Sequence, residues 1–237
     1  MNRQERLTKK LLDEQRPDGS FGRFHTMDSK LKQKIPTTQA AAWLMHENSF
    51  TRDNDMCNKM CHYMERLIND LSQWPDAWEK NKWFKPAVPL FIASTLALFG
   101  SEDEGYIGVC DLWIELLIVA FEAGSYSPDK TNAQSNRSLG VEIDGSYLGL
   151  HSLNHLALYA CNTRKIPAAV QRSYLKWLHH FDGTIAYTNT RLDTFPASGA
   201  DTRVLTLLSK FEGFGEEFPE AILFGAQENC LDSLSQP

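Results

Sequence analysis

Two histidines of this sequence stand at a spacing that suits metal binding. His151 and His155 are four residues apart, and on a helix this spacing projects both rings from one face, where they can share a zinc or another divalent ion. The residues between them are Ser, Leu and Asn, and no spacing indicates a third ligand. A polar helix face that borders a cavity is therefore favoured over a metal site, and the identity of any metal stays open.

Carboxylates beside His and Arg offer acid–base chemistry if they converge in the fold. The segment 179–199 holds His179, His180, Asp182, Tyr187, Arg191 and Asp193, and Asp201 and Arg203 follow it. A surface network of salt bridges is the alternative interpretation. The candidate acids are Asp18, Asp144, Asp182 and Asp201. The polar candidates for substrate binding are His151, His155, Tyr187 and Arg203.

A second group of candidate substrate-binding residues is aromatic. Trp74, Trp78 and Trp83 stand close together with Phe84, interleaved with acidic residues and lysines. Such rings can form a wall for an apolar, sugar or cationic ligand. They can equally seal their segment onto the neighbouring helices, and both interpretations stay open.

The elements that must position these residues are helices. Apolar side chains recur at helical spacing in a first segment that stops at Pro17, and then in seven more. Those seven are 37–47, 53–71, 87–99, 103–123, 147–161, 166–178 and 200–212, with a weaker helix at 217–225. Strand-like alternation is confined to 184–188. The sequence therefore predicts an all-α protein of eight or nine helices.

The connections between these helices are of two kinds. Short ones near residues 48, 99, 161 and 213 alternate with long ones at 16–36, 73–86, 124–146 and 179–199. In a stack of antiparallel helix hairpins every second connection lies at the same end, and long structureless loops are commonly functional. We therefore expect a single domain, residues 1–237, with the long loops on one face. The site is expected in the mouth that they form with the helix starts at 37, 87, 147 and 200.

A polar turn recurs in three of these connections. Asp-Gly followed by Ser or Thr occurs at residues 18–20, 144–146 and 182–184. Asp and Gly form tight turns in which Gly supplies a positive φ. The first two turns precede Phe21 and Tyr147, which we expect to pack inward between helix layers.

The first of these turns carries a family resemblance. Gln15, Gly19 and Phe21 match the Gln-x-x-x-Gly-x-Trp/Phe turn of the α/α-toroid repeats, so the chain resembles the squalene and hopene cyclases and related prenyltransferase-type proteins. Residues 141–149 look like a degenerate copy in which Val141 replaces the Gln. The resemblance implies antiparallel helix hairpins in an α/α toroid or partial toroid. It also implies a protein that binds or transforms a largely apolar, isoprenoid-type substrate by acid chemistry in the concave mouth.

The sequence departs from that family at its catalytic motifs. Class II terpenoid cyclases protonate their substrate with Asp-x-Asp-Asp, whereas the nearest string here, residues 53–56, is Asp-Asn-Asp-Met. It stands at a predicted helix start, where Asp commonly caps the helix. The zinc ligands of protein prenyltransferases have no clear equivalent, and no cofactor is predicted.

Two further functions stay open. One is a non-catalytic ligand- or protein-binding helical-repeat module, and the other is a carbohydrate-active α/α-barrel enzyme with tryptophan platforms and two carboxylates about 5 to 9 Å apart.

The composition of the chain limits the classes of partner that it is expected to bind. A net charge of −6 disfavours nucleic-acid binding, which depends on Lys and Arg that neutralise phosphates. No run approaches the ~20 apolar residues of a membrane span, and the N-terminus lacks the apolar core of a signal peptide. Five scattered cysteines fit reduced, mostly buried thiols. The expected partner is a small apolar molecule or a protein, and the expected location is the cytoplasm.

Overall fold

The computed structural model describes residues 3–26, 34–76, 84–194 and 201–221, and these residues form an all-α protein, as predicted. Their α-helices are α1 (Arg3–Glu14), α2 (Thr38–Glu47), α3 (Asp55–Asn69), α4 (Phe84–Ala97), α5 (Glu104–Phe121), α6 (Pro128–Leu139), α7 (Leu153–Ala160), α8 (Ala168–His179), α9 (Thr202–Leu208) and α10 (Phe214–Glu217). Leu71–Gln73 and Thr163–Lys165 are short 3-10 helices. Within the described ranges, β-pairing is limited to isolated bridges between Ser152 and Ala186 and between Thr184 and Arg191.

The chain divides into two compact units, residues 1–111 and 112–237. In unit 1, α3 packs against α4, and α2 contacts both helices. In unit 2, α7 packs against α9, and α8 packs against α10. The expectation of one domain over residues 1–237 stays a prediction. Every helix in the described part of the chain is too short or too polar to cross a bilayer.

The helices of unit 1 begin where short polar side chains cap them. Thr37 accepts a hydrogen bond from the amide of Ala40 at the start of α2. Asn54, rather than Asp53, caps α3 by accepting from the amides of Met56 and Cys57. An N-cap side chain satisfies amides that have no partner within the helix. The stripe that α3 buries contains Cys57 and Cys61 along with methionines and leucine, which confirms that these two thiols are core residues.

The predicted long loop 124–146 is wrong, because α6 occupies its middle. The residues of α6 are almost all polar, so they lack the apolar stripe by which the other helices were predicted. Pro128 stands at the first turn of this helix, and Gly140 ends it in a left-handed conformation with φ of 71°. These residues are the usual start and stop signals of a helix. Thr131 and Ser135 fill the buried face of α6.

Three other predicted boundaries also need correction. Helix α7 begins at Leu153 rather than at residue 147, because residues 147–151 form turns and Ser152 caps the helix. Helix α4 begins at Phe84, inside the segment predicted as the loop 73–86. The predicted short connection near 213 contains α10. The first of these errors moves His151 from the expected helix into the turns that precede it.

The first two Asp-Gly turns are confirmed. Gly19 and Gly145 have φ of 96° and 69°, respectively. Phe21 is fully buried, as expected, but the prediction for Tyr147 is wrong, because 42 % of this residue is exposed. Leu148 takes the buried place instead, since the chain continues into further turns rather than entering a helix. The third turn differs: Gly183 is not among the glycines with a positive φ.

Candidate functional site

Aromatic side chains of unit 2 gather beside two of the predicted site residues. Tyr126 stacks on Trp177 with ring centroids 4.6 Å apart, and His151 stacks on Phe181 at 4.3 Å. Trp177 and Phe181 join the two stacks at 5.4 Å. The hydroxyl of Tyr126 donates a hydrogen bond to Asp144 Oδ1 at 2.6 Å. We refer to these five residues as the Asp144 cluster.

Four different segments hold the Asp144 cluster in place. Tyr126 lies in the turn between α5 and α6, and Asp144 lies in the second Asp-Gly turn. Asn132 of α6 fixes that turn, because its Oδ1 accepts from the amides of Ile143 and Asp144. The carbonyl of His151 accepts from the amide of Ala186. Trp177 and Phe181 stand four residues apart at the end of α8 and just beyond it, a spacing that brings side chains to one face.

All five residues of the Asp144 cluster are half-buried, so each keeps part of its surface open to water. Burial and the Asp144 carboxylate raise the pKa of the Tyr126 hydroxyl, which therefore keeps its proton at neutral pH. Burial lowers the pKa of His151, although the negative charge of Asp144 opposes this effect. The cluster thus combines apolar ring faces with one carboxylate, one phenol hydroxyl and one imidazole.

His155 lies behind this surface, in the core of unit 2. Its ring is fully buried and contacts Trp113 edge to face at 4.7 Å. Ser152 Oγ lies 2.8 Å from Nδ1 of His155, while Nε2 has no hydrogen-bond partner among the described residues. Burial lowers the pKa of His155 to about 3, and the nearby His151 lowers it as well. The ring is therefore neutral at physiological pH.

The expectation that His151 and His155 project from one helix face is wrong, because His151 precedes α7. Ser152 caps that helix and also contacts the His155 ring, so the Ser–His pair is part of the α7 N-terminus. Its burial leaves it no access to a substrate, and we derive neither a nucleophile nor a metal site from it.

The predicted carboxylates and arginines of residues 182–203 form ion pairs. Asp201 caps α9 and lies 2.5 Å from Arg203, whose guanidinium lowers the pKa of the Asp201 carboxyl. The Asp182 side chain is 94 % exposed and lies 2.9 Å from Arg191, and Asp193 lies on the same guanidinium at 2.7 Å. These pairs match the surface-network interpretation.

Tyr187 and Asp18 occupy exposed turns. Tyr187 is 43 % exposed and has a left-handed φ of 68°. Asp18 is exposed in unit 1, where its Oδ1 accepts from the amide of Ser20 and closes the first Asp-Gly turn. This contact gives the carboxylate of Asp18 a role in the turn itself.

The predicted tryptophan wall is only partly described. Trp74 is 3 % exposed and packs on Phe24 with centroids 4.9 Å apart, so it seals its segment onto unit 1 instead of facing a ligand. Trp78 and Trp83 lie outside the described residues. The two long connections of unit 1 do meet, because the amide of His25 donates to Asp76 Oδ2 at 3.0 Å.

Sequence reasoning missed Tyr126, Trp177 and Phe181. The signal for the last two was their spacing of four residues across the predicted end of a helix. Tyr126 carried no such signal, because its partner Asp144 lies eighteen residues away on the far side of an unpredicted helix.

One further grouping in unit 2 has the residue types of a metal site. Ligand atoms of His179, His180 and Glu217 all lie within 4.8 Å of one another.

Unit 1 offers an open groove of about 560 Å³ along α3. The residues that line it are of polar and charged types: His62, Glu65, Arg66, Asn69, Asp70, Gln73 and Asp103. In this groove the carboxylate of Glu65 is held by Arg52 at 2.6 Å and by His62 at 3.0 Å.

Comparisons of the chain with protein-family models, with curated proteins and with solved structures found no match. Function therefore has to be inferred from the chemistry of the site itself.

Proposed function

We propose that the chain binds a largely apolar small molecule of isoprenoid type on the Asp144 cluster. The observation that supports this most strongly is the half-buried stack of Tyr126 on Trp177 beside the Asp144 carboxylate. Covering apolar surface that faces water stabilises a complex by about 25 cal/mol per Å². Aromatic rings contribute large areas of this kind and lose little conformational freedom on binding.

The polar atoms of the cluster indicate which chemical group the polar end of the ligand carries. Asp144 brings a negative charge and lies against the ring of Tyr126, while His151 is neutral at physiological pH. A hydroxyl group can bond to the carboxylate, and a cationic group is attracted both to the carboxylate and to the faces of the rings. The ligand proposed is therefore an apolar chain with a hydroxyl or amine end.

The α/α toroid or partial toroid is the architecture that we propose for this binding. Support comes from the helix pairs that pack within each unit, α3 with α4 and α7 with α9. Further support comes from the two left-handed Asp-Gly turns and from Gln15, whose Nε2 donates to the carbonyls of Gly19 and Met56. Gln15 thereby links the first Asp-Gly turn to α3. A Gln-containing turn that recurs in a toroid would link neighbouring helix layers in the same way.

Transformation of the ligand by acid chemistry, as in terpenoid cyclases, is a second proposal. The Asp144 carboxyl group beside the stacked rings favours it, because an acid group at this place would adjoin a substrate that covers the rings. Incubation with an isoprenoid distinguishes this proposal from simple binding, because an enzyme converts the compound whereas a non-catalytic binder returns it unchanged.

Calorimetric titration with farnesol and farnesylamine, which share one apolar chain and differ in the polar end, tests the proposal. We expect Trp177→Ala to weaken binding of both compounds at least tenfold, which is about 1.4 kcal/mol. Asp144→Asn keeps an acceptor for Tyr126 but removes the charge, so it should weaken the amine more than the alcohol.

The control is Ile107→Ala, which truncates an exposed apolar side chain of unit 1, outside the Asp144 cluster. It should bind both compounds as the wild type does. Wild-type affinity in folded Trp177→Ala and Asp144→Asn proteins would place any ligand site away from the Asp144 cluster. It would then favour protein docking as the use of this surface.

A further inference from the structure

Two adjacent histidines and a glutamate meet where α8 ends against α10. His179 is the last residue of α8, and Glu217 is the last residue of α10. His179 Nδ1 lies 2.8 Å from Glu217 Oε1, and His180 Nδ1 lies 3.9 Å from the same oxygen. The Asp144 cluster uses none of these side chains. The helix packing thus brings three metal-ligating residue types together from positions far apart in the chain.

Side chains of adjacent helix residues normally point in different directions and cannot both reach one metal ion. The end of α8 changes the backbone direction between His179 and His180. His180 is the C-cap residue, with φ of −95° and ψ of 6°. Its ring centroid lies 5.1 Å from that of His179. The break of the helix after His179 is therefore what allows both rings to approach one carboxylate.

Neighbouring groups hold these rings in position. The ring of His179 packs on the fully buried Phe218 with centroids 4.6 Å apart. The carbonyl of Lys176 lies 2.9 Å from His180 Nδ1 and accepts a hydrogen bond from it. Metal-bound histidines commonly donate one ring N–H to a backbone carbonyl in this way and coordinate through the other nitrogen. This bond holds the ring of His180 beside Glu217 and leaves Nε2 as the nitrogen with a free lone pair.

The separations suit one small cation. Two ligand atoms about 2.1 Å from a tetrahedral zinc ion lie about 3.4 Å apart, and the three candidate ligand atoms lie within 4.8 Å of one another. Imidazole favours zinc, copper and nickel, whereas magnesium and calcium prefer oxygen ligands. Two histidines with one glutamate also form the ligand set of zinc sites that keep a fourth position open to water.

We propose that His179, His180 and Glu217 bind one divalent transition-metal ion, with zinc as the type ion. The half-buried His179 and Glu217 supply the fixed part of the site, and the exposed His180 completes it from the solvent side. Binding bridges the end of α8 to α10, so it stabilises this part of unit 2.

The test is a zinc titration of the full chain, free of any affinity tag, by calorimetry and by thermal unfolding. We expect one zinc ion per chain and an unfolding temperature that rises with zinc. His180→Ala and Glu217→Gln should each weaken binding at least tenfold and abolish the rise in unfolding temperature. Both variants should fold, because neither side chain belongs to the core.

The matched control is His62→Ala. His62 also lies on a glutamate, with Nδ1 3.0 Å from Glu65 Oε2, but a second histidine is not part of that contact. This variant should bind zinc as the wild type does. Cobalt(II) gives an independent readout, since nitrogen and oxygen ligands give visible bands without the thiolate-to-cobalt charge-transfer band. Absence of saturable zinc binding, unchanged affinity in His180→Ala and Glu217→Gln, or a thiolate band would each overturn the proposal.

Discussion

His155 illustrates how burial decides what a side chain can do. From the sequence its spacing to His151 suits a metal site, yet the folded chain places the ring in the core against Trp113 and Ser152. A charged imidazole is disfavoured there because burial removes its hydration. The same residue type is half-buried at position 151, where it contacts Phe181 and keeps access to solvent.

The buried His155 makes stability depend on pH. Its pKa of about 3 in the folded chain lies below the value of about 6.5 in an unfolded chain. As pH falls below about 6.5 the unfolded state takes up a proton that the folded state does not. The contribution of His155 is therefore fully present above that pH, is lost as pH falls, and stops changing near pH 3.

We expect the free energy of unfolding of His155→Asn to depend less on pH than that of the wild type. Per unit that the pH falls within this window, the free energy of unfolding of the wild type should decrease by up to about 1.4 kcal/mol more than that of the variant. This is the value for the uptake of one proton. Urea unfolding from pH 7 to pH 4 measures both slopes. Asn keeps a polar atom near Ser152, and all other titrating groups are common to both proteins. Parallel curves would show that His155 titrates normally in the folded state.

At the scale of elements, the two Asp-Gly turns share a backbone conformation but are held differently. Gln15 ties the first turn to α3, while Asn132 of α6 fixes the second. A Cβ atom at Gly19 would lie 2.3 Å from the carbonyl oxygen of Lys59, whereas nothing lies within 4 Å of a Cβ atom at Gly145. Glycine is required at both turns by its positive φ, and at the first also by close backbone contact.

This difference predicts the cost of alanine at each turn. Gly145→Ala should cost about 1 to 2 kcal/mol, the strain of a left-handed alanine. Gly19→Ala should cost a further 1 to 3 kcal/mol or more, because the added methyl group clashes with fixed backbone. Denaturant unfolding of the two variants beside the wild type measures both costs. Equal costs would mean that the first turn can shift away from α3 without loss.

The helical class and most helices could be predicted, because apolar residues at helical spacing mark the faces that become buried. Helix α6 could not, since its buried face is made of Thr131 and Ser135 and the signal lay only in Pro128 and Gly140. Asp144 and His151 were predicted as site residues, and the fold brings them to one cluster. Tyr126, the hydrogen-bond partner of Asp144, could not be predicted, because helix α6 lies between the two residues and the pattern of apolar residues did not indicate that helix.

At the scale of the whole molecule, the two long connections of unit 1 meet each other. In unit 1 the segments 16–36 and 73–86 join through His25 and Asp76. In unit 2 the segment 179–199 meets the turns before α7 instead, because His151 stacks on Phe181. Closure of all four segments around one mouth remains part of the proposed toroid.

The central claim is that a ligand covers the Asp144 cluster, and fluorine NMR of protein labelled with 5-fluorotryptophan tests it most directly. Trp177 lies in the cluster, whereas Trp43 is buried in α2 of unit 1, and Trp177→Phe and Trp43→Phe assign their resonances. On titration with farnesol the Trp177 resonance should shift in a saturable manner while the Trp43 resonance stays in place. A Trp177 resonance that does not move while farnesol binds would contradict the claim.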